Sequence, residues 1–198
     1  RHVEAAPLLV TLQGRGRAMI EADFACFHHD VDQGGNVLEA EIQALAGQRI
    51  DAVGRIAQIE KGEQDIRLRI ETGKLPLAEV ALGDSIATSG VCLTVTELPG
   101  GGYWADVSPE TLSLTSLGTK SIGDPVNLET SLTLNTPLGG HLVSGHIDGV
   151  GQIQEIIEDA RFWRVKVAAP ENLARYIAMK GSICVDGTSL TVNQVDGA

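Results

Sequence analysis

Ser85-Ile-Ala-Thr-Ser-Gly-Val-Cys-Leu-Thr-Val95 recurs 97 residues later, without a gap, as Ser182-Ile-Cys-Val-Asp-Gly-Thr-Ser-Leu-Thr-Val192. The same offset places Asp51-Ala-Val-Gly-Arg-Ile56 on Asp148-Gly-Val-Gly-Gln-Ile153, so the register holds over more than a hundred residues. This period is too long for solenoid units of about 20 to 50 residues and matches a small domain. One domain is therefore built twice in this chain.

The sequence of each copy predicts a series of short strands. Ile66, Leu68 and Ile70 alternate with charged residues, which is the period-two pattern of a half-buried strand. Glycine-rich turns such as Leu98–Gly102 separate the strands. Ser108-Pro-Glu-Thr-Leu112 predicts a short helix with a serine cap, and residues 170–177 predict another. The pattern favours an all-β fold with a barrel or sandwich in each copy.

The repeat divides the chain into three parts. We expect an unassigned N-terminal extension at residues 1–49, a first barrel at 50–141 and a second barrel at 142–198. Residues 96–129 of the first copy would correspond to positions 193–226, most of which lie beyond Ala198, so the second barrel is predicted to be truncated. Its edge strands are then expected to be unpaired. Within the extension, residues 37–46 predict an amphipathic helix.

Composition excludes several classes of function. A formal net charge of −11 argues against nucleic acid as a partner, because phosphate binding needs a basic surface. The sequence has no apolar run of the roughly 18 residues that would cross a membrane, and its start does not resemble a signal peptide. Three widely spaced cysteines indicate free thiols in a reducing cytoplasm.

The repeated strands place short polar side chains on one face. Because alternate side chains of a strand point to opposite sides, Cys92, Thr94 and Thr96 share one face in the first copy. Ser189, Thr191 and Asn193 share the matching face in the second. Such groups both donate and accept hydrogen bonds, so this face could bind a polar heterocycle. The alternative is an ordinary solvent-facing strand surface.

Histidines at the junction between the copies are the other candidates for chemistry. His141 and His146 lie among four glycines, and a histidine there could act as an acid or a base near neutral pH. Zinc binding is disfavoured because residues five apart on a strand face opposite sides. The cluster Cys26-Phe-His-His-Asp30 is interpreted as coincidental. Cys92 has no neighbouring acid or histidine in the sequence, so covalent catalysis is not indicated.

These strings together resemble the riboflavin synthase alpha chain family. The resemblance rests on residues 83–95, Pro109-Glu-Thr-Leu112, Gly139-Gly-His-Leu-Val-Ser-Gly-His146 and residues 186–192, in this order. It implies two six-stranded Greek-key barrels, each binding one 6,7-dimethyl-8-ribityllumazine, in a homotrimer. It also implies transfer of a four-carbon unit between two lumazines, which yields riboflavin and 5-amino-6-ribitylaminouracil without a metal or redox cofactor.

The same resemblance implies the site residues. His146, Ser189 and Thr191 take the polar roles at the reacting centre. The first pocket is lined by Ser85, Cys92, Leu93, Thr94 and the segment Ser108, Pro109, Glu110, Thr111, Leu112 and Ser113. The second pocket is lined by Gly145, His146, Ile147, Lys180, Ser189, Leu190 and Thr191.

The sequence departs from the family at both ends. The family opens with Met-Phe-Thr-Gly, where this chain has Gly47-Gln-Arg-Ile50, and the second copy lacks the C-terminal helix through which the family trimerises. Two alternatives to the enzyme therefore stay open. One is a non-catalytic lumazine or flavin carrier, and the other is an inactive fragment of the enzyme.

Overall fold

The computed structural model describes residues 2–3, 8–13, 19–25, 50–62, 65–136, 142, 144–159 and 162–196, and strands dominate these residues. The strands are β1 (His2–Val3), β2 (Leu8–Gln13), β3 (Met19–Ala25), β4 (Ala52–Lys61), β5 (Ile66–Glu71), β6 (Ser85–Thr88), β7 (Val91–Glu97), β8 (Gly102–Val107), β9 (Pro125–Thr130), β10 (Gly149–Asp159), β11 (Phe162–Ala168), β12 (Ser182–Val185) and β13 (Thr188–Asp196). The helical segments are α1 (Pro109–Leu114) and two 3-10 helices, Ser116–Thr119 and Glu171–Tyr176.

Strands β4 to β9 form a closed antiparallel barrel in the order β4-β5-β8-β7-β6-β9, which we call the first module together with the helices between β8 and β9. The alternation predicted from the sequence is confirmed, because Leu68 and Ile70 are buried while Arg67 and Arg69, on the other face, are not. Ser108 caps α1 as predicted, since its hydroxyl accepts a hydrogen bond from the Thr111 amide at 3.1 Å. The helical turn predicted at 170–177 forms as a 3-10 helix.

The second copy contributes only β10 to β13, as the repeat predicts, yet its sheet is completed by strands from the N-terminal segment. Strand β3 lies between β11 and β13, and β2 joins β12 to β10. The sequence-based expectation of unpaired edges is therefore wrong. Edge strands expose unused backbone donors and acceptors, and β2 and β3 pair with them. We call β10–β13 with β1–β3 the second module.

Register shows that β2 and β3 occupy the positions that β9 and β8 hold in the first module. Leu68 pairs with Ala105, and its repeat equivalent Val165 pairs with Ala22. Bulges also recur at the 97-residue offset. The pairing of β4 with β5 shifts between Ile56 and Gln58, and that of β10 with β11 shifts between Ile153 and Glu155. Bulges increase the local twist, so both modules curve at matching places.

The amphipathic helix predicted at residues 37–46 lies outside the described residues.

Each module has its own apolar core. Among the residues whose side chains the structure describes, fourteen buried residues form the first, including Ile56, Ile86 and Leu128, and eight form the second, including Ile153 and Ile183. Complete burial of one such side chain stabilises the fold by about 1.5–3 kcal/mol. Tyr103 is fully buried in the first core, where its hydroxyl lies 2.5 Å from the hydroxyl of Thr88. That hydrogen bond lowers the cost of burying both groups.

Candidate functional site

Two equivalent hairpins, β6–β7 and β12–β13, carry most of the predicted site residues. In the first hairpin Ser85 pairs with Thr94 and Ala87 with Cys92. Residues directly opposite each other share a face, so the side chains of Ser85, Thr94 and Cys92 form a polar wall with the Ala87 methyl group among them. In the second hairpin the corresponding pairs are Ser182 with Thr191 and Cys184 with Ser189.

The other face of each hairpin belongs to the core. Val91, Leu93 and Val95 are buried in the first module, and Thr188, Leu190 and Val192 are buried in the second. The division of the two faces predicted from the sequence is confirmed. Leu93 and Leu190 are only 4% and 7% exposed, so a ligand on the polar wall would meet their backbone and not their side chains.

The turns of the two hairpins meet. Ser89 and Gly90 form the first turn and Asp186 and Gly187 the second, and all four residues have positive φ. Such paired left-handed residues are typical of a type I′ hairpin turn. A Cβ on Gly90 would lie 2.6 Å from the Gly187 nitrogen, and a Cβ on Gly187 would lie 2.9 Å from the Gly90 nitrogen. The contact is therefore reciprocal, and glycine is required on both sides.

Polar groups of the first module hold the second turn. The Asn127 side-chain amide on β9 donates to the Asp186 carbonyl at 2.9 Å. The Ser116 hydroxyl donates to the Asp186 carboxylate at 3.0 Å. Asn127 and Ser116 are 4% and 1% exposed, so the donors of these hydrogen bonds lie in an interface between the modules that largely excludes water. Low local dielectric strengthens such bonds.

The segment Gly145–Ile147 lies on the first module, although the resemblance assigns it to the second pocket. The Cys92 amide donates to the Gly145 carbonyl at 2.9 Å, and Ile147 packs against the first core. Gly145 is buried with φ of +73°, and a Cβ there would lie 2.6 Å from the Cys92 Cβ. His146, between these two anchors, is exposed. The structure therefore brings the histidine to the side of the first hairpin that carries Cys92.

Lys180 precedes β12 in a left-handed conformation with φ of +64°. Its repeat equivalent is Gly83. The backbone amides of the two residues donate hydrogen bonds to equivalent carbonyls, Lys180 to Val192 and Gly83 to Val95. The Lys180 ammonium is exposed and lies 3.3 Å from the Asn193 side-chain oxygen. A side chain in this conformation costs about 1–2 kcal/mol that glycine avoids.

The segment Ser108–Ser113 forms the cap and first residues of α1, which follows β8. Ser108, Pro109, Glu110 and Ser113 are exposed, whereas Leu112 packs against the first core. The Ser113 hydroxyl donates to the Glu110 carbonyl at 2.8 Å. The segment therefore offers hydroxyls and one carboxylate beside the first barrel.

The two described cysteines are free thiols, and they differ in setting. Cys184 is buried, and desolvation raises the pKa of its thiol to about 12. It is therefore protonated at neutral pH and cannot serve as a thiolate nucleophile. The described residues contain no group of three or more His, Cys, Asp or Glu side chains arranged to hold a metal ion. His141 and the cluster at residues 26–30 lie outside them.

Several residues of this region were not predicted from the sequence. Ser182 is the repeat equivalent of Ser85 and pairs with Thr191 on the second wall, so the 97-residue offset alone could have identified it. Asn127, Ser116 and Asp186 carry no such signal, because their hydrogen bonds cross from one module to the other.

Comparison with known proteins agrees with this geometry. A family model described as the lumazine binding domain matches residues 48–131 and 144–198. The chain belongs to the lumazine-binding domain family. Riboflavin synthase from Photobacterium leiognathi is 45% identical over 146 residues, which cover 74% of this chain and 67% of that protein. Riboflavin synthase from Actinobacillus pleuropneumoniae is 48% identical over 149 residues, which cover 74% of this chain and 68% of that protein.

Solved structures share the fold of these lumazine-binding modules. LumP complexed with riboflavin aligns with a TM-score of 0.65 and 25% identity, covering 73% of this chain and 78% of that chain. LumP complexed with 6,7-dimethyl-8-(1'-D-ribityl) lumazine aligns with a TM-score of 0.64 and 24% identity, covering 74% and 78%. The predicted family and the predicted barrel architecture are therefore confirmed. No helix within the described residues has the length and apolarity needed to span a membrane.

Proposed function

We propose that this chain is a riboflavin synthase, which converts two molecules of 6,7-dimethyl-8-ribityllumazine into riboflavin and 5-amino-6-ribitylaminouracil. The observation that carries the proposal is the pair of equivalent polar-walled hairpins in one chain, which is 45–48% identical to the two riboflavin synthases described above. A dismutation of two identical molecules needs two similar pockets. The two substrates together contain all the atoms of both products, so the reaction needs no further reactant.

The polar walls supply the binding groups. In the first pocket, the hydroxyls of Ser85 and Thr94, the Cys92 thiol, the Leu93 backbone and segment 108–113 would hold one lumazine. In the second, Ser189, Thr191, Lys180 and the Leu190 backbone would hold the other. Hydroxyls that donate and accept suit the mixed edge of the pyrimidine ring. Fixing both rings converts a reaction between two molecules into a step within one complex, which lowers the entropic part of the barrier.

His146, Ser189 and Thr191 are the proposed polar groups at the reacting centre. The four-carbon transfer begins when the acidic 7-methyl group of one lumazine loses a proton, and fixed hydrogen-bond donors stabilise the resulting anion. The His146 imidazole is the proposed group that exchanges a proton with the substrate. Its neighbours Gly145 and Ile147 anchor it to the first module, so we assign it to the lumazine of the first pocket.

Domain organisation, assembly and location are part of the proposal. Residues 50–141 and 142–198 are the two lumazine-binding units, and residues 1–49 are an extension whose strands β2 and β3 complete the second sheet. By family resemblance the chain assembles as a homotrimer, in which the first module of one subunit faces the second of its neighbour. Free thiols at Cys92 and Cys184 favour the reducing cytoplasm.

Incubation with 6,7-dimethyl-8-ribityllumazine tests the proposal, with riboflavin formation followed by its fluorescence. His146→Gln is expected to slow turnover by about 10²–10⁴-fold while changing substrate affinity far less. Ser121→Ala, in an exposed turn before β9, is the control and should match the parent. Tight lumazine binding without any riboflavin would instead support a ligand carrier. That second candidate is favoured by the structural likeness to LumP complexed with riboflavin.

A further inference from the structure

The second hairpin turn is held from outside its own module. Asp186 of this turn receives hydrogen bonds from Asn127 and Ser116, both buried residues of the first module. The turn carries two left-handed residues in succession and leads directly into β13, where Ser189 lies on the polar wall. Any shift of the turn therefore moves the strand that presents Ser189.

The hydrogen bonds of Asn127 are not those expected of a group retained for stability alone. Its Nδ2 binds the Asp186 carbonyl, but its buried Oδ1 has no hydrogen-bond partner among the described residues. A buried acceptor without a partner costs at least as much free energy as the hydrogen bond beside it contributes. Replacing the amide with an apolar group of similar size would remove both effects, and the carbonyl of the partly exposed Asp186 can then accept a hydrogen bond from water. Stability and positioning can therefore be separated at this residue.

We propose that Asn127 and Ser116 are positioning residues for the second pocket: they fix the Asp186–Gly187 turn and, through it, the orientation of Ser189 toward the ligand. The inference rests on the proposed function only in taking the second hairpin as a pocket wall. If Asn127 and Ser116 have this role, ligand affinity at the second pocket depends on side chains of the first module. The first pocket is expected to be insensitive to the same substitutions.

A titration with riboflavin, the stable product, tests this without requiring turnover. The parent is expected to bind two molecules, and Ser189→Ala identifies the second pocket as the site that it weakens. Asn127→Leu should weaken that same site about tenfold, leave the other within twofold and shift the melting temperature by less than about 3 °C. Ser116→Ala should act in the same direction, and Ser116→Thr, which keeps the hydroxyl, should restore binding.

The matched control is Thr119→Val, because the Thr119 hydroxyl lies in the same 3-10 helix but donates within it, to the Ser116 carbonyl at 2.9 Å. It should bind both ligands like the parent. The double variant Asn127→Leu with Ser189→Ala should bind no more weakly than Ser189→Ala alone, since both act through one contact. Additive losses, equal weakening of both sites, or an equal effect of the control would overturn the inference.

Failure of the proposed function gives a different result. If the parent makes no riboflavin from lumazine yet binds two riboflavin molecules with the pattern above, the enzyme proposal fails and the positioning role stands. If the parent is active and Asn127→Leu changes neither site, the positioning role fails and the enzyme stands. A parent that binds no riboflavin would overturn both.

Discussion

The Gly145 carbonyl lies 2.9 Å from the amide nitrogen of Cys92, so a residue at the start of the second repeat hydrogen-bonds to a strand of the first. A side chain at Gly145 would need a φ of +73° and would meet the Cys92 Cβ at 2.6 Å. Gly145→Ala is therefore expected to lower the free energy of unfolding by about 2–5 kcal/mol. It should also reduce turnover by displacing His146.

Urea unfolding and turnover measurements check this, with Gly101→Ala as the matched control. Gly101 has a similar φ of +66°, but a Cβ added there would have no atom within 4 Å. Gly101→Ala should lower the free energy of unfolding only by the cost of the left-handed backbone, about 1–2 kcal/mol, and should keep full activity. Equal losses for the two variants would show that the contact with Cys92 is not tight.

At Lys180, stability and ligand binding are expected to change in opposite directions. Lys180→Gly removes the cost of the left-handed backbone, partly offset by the greater freedom of glycine in the unfolded chain. The free energy of unfolding should rise by up to about 1 kcal/mol, while affinity for lumazine falls. Lys180→Asn tolerates the same backbone without the positive charge and should also bind weakly. Unchanged affinity in both variants would exclude a role for the ammonium group.

Stability should depend on the Cys184 thiol at high pH. Its pKa is raised from 9.0 to about 12 by burial, so above pH 9 the unfolded chain releases a proton that the folded chain retains. The contribution is fully present below pH 9 and is lost as pH rises toward 12, at up to about 1.4 kcal/mol per pH unit. Cys184→Ala, which installs the residue found at its equivalent Ala87, should flatten that slope. Urea midpoints measured between pH 8 and 11 test this, and parallel curves would contradict it.

Strand β3 can be tested by proline substitution. Ala22 pairs with Val165 on one side and Val192 on the other, and proline cannot donate to such a ladder. Ala22→Pro is expected to destabilise the second module by about 3 kcal/mol or more. Ala78→Pro, in an exposed turn whose Val80 amide donates to the Leu77 carbonyl, suits proline and is the control. Hydrogen exchange should show faster exchange in β11 and β13 of the Ala22 variant, with β5 and β7 unchanged.

Local patterns in the sequence were sufficient for the hairpins and for the helix cap. Alternation at Val91, Leu93 and Val95 identifies the buried face because a strand has only two faces. The destination of β2 and β3 was not predictable in this way, since strand pairing leaves no motif in either partner. The hydrogen bond between the Cys92 amide and the Gly145 carbonyl was also not predictable, because a motif places a residue in one copy but does not say which module it contacts. Asn127 and Asp186 illustrate the same limit.

The completion of the second module by β2 and β3 has a consequence for biosynthesis. The strands of the first module are contiguous in sequence, so that barrel can close as soon as β9 has left the ribosome. Strands β2 and β3 emerge earlier than any of these, yet their partners β12 and β13 are among the last to be made. Distant pairings of this kind are slow to form and leave strand edges exposed meanwhile. The chain is therefore expected to fold in two stages, and its yield should depend on chaperones that shield the early strands until the late ones arrive.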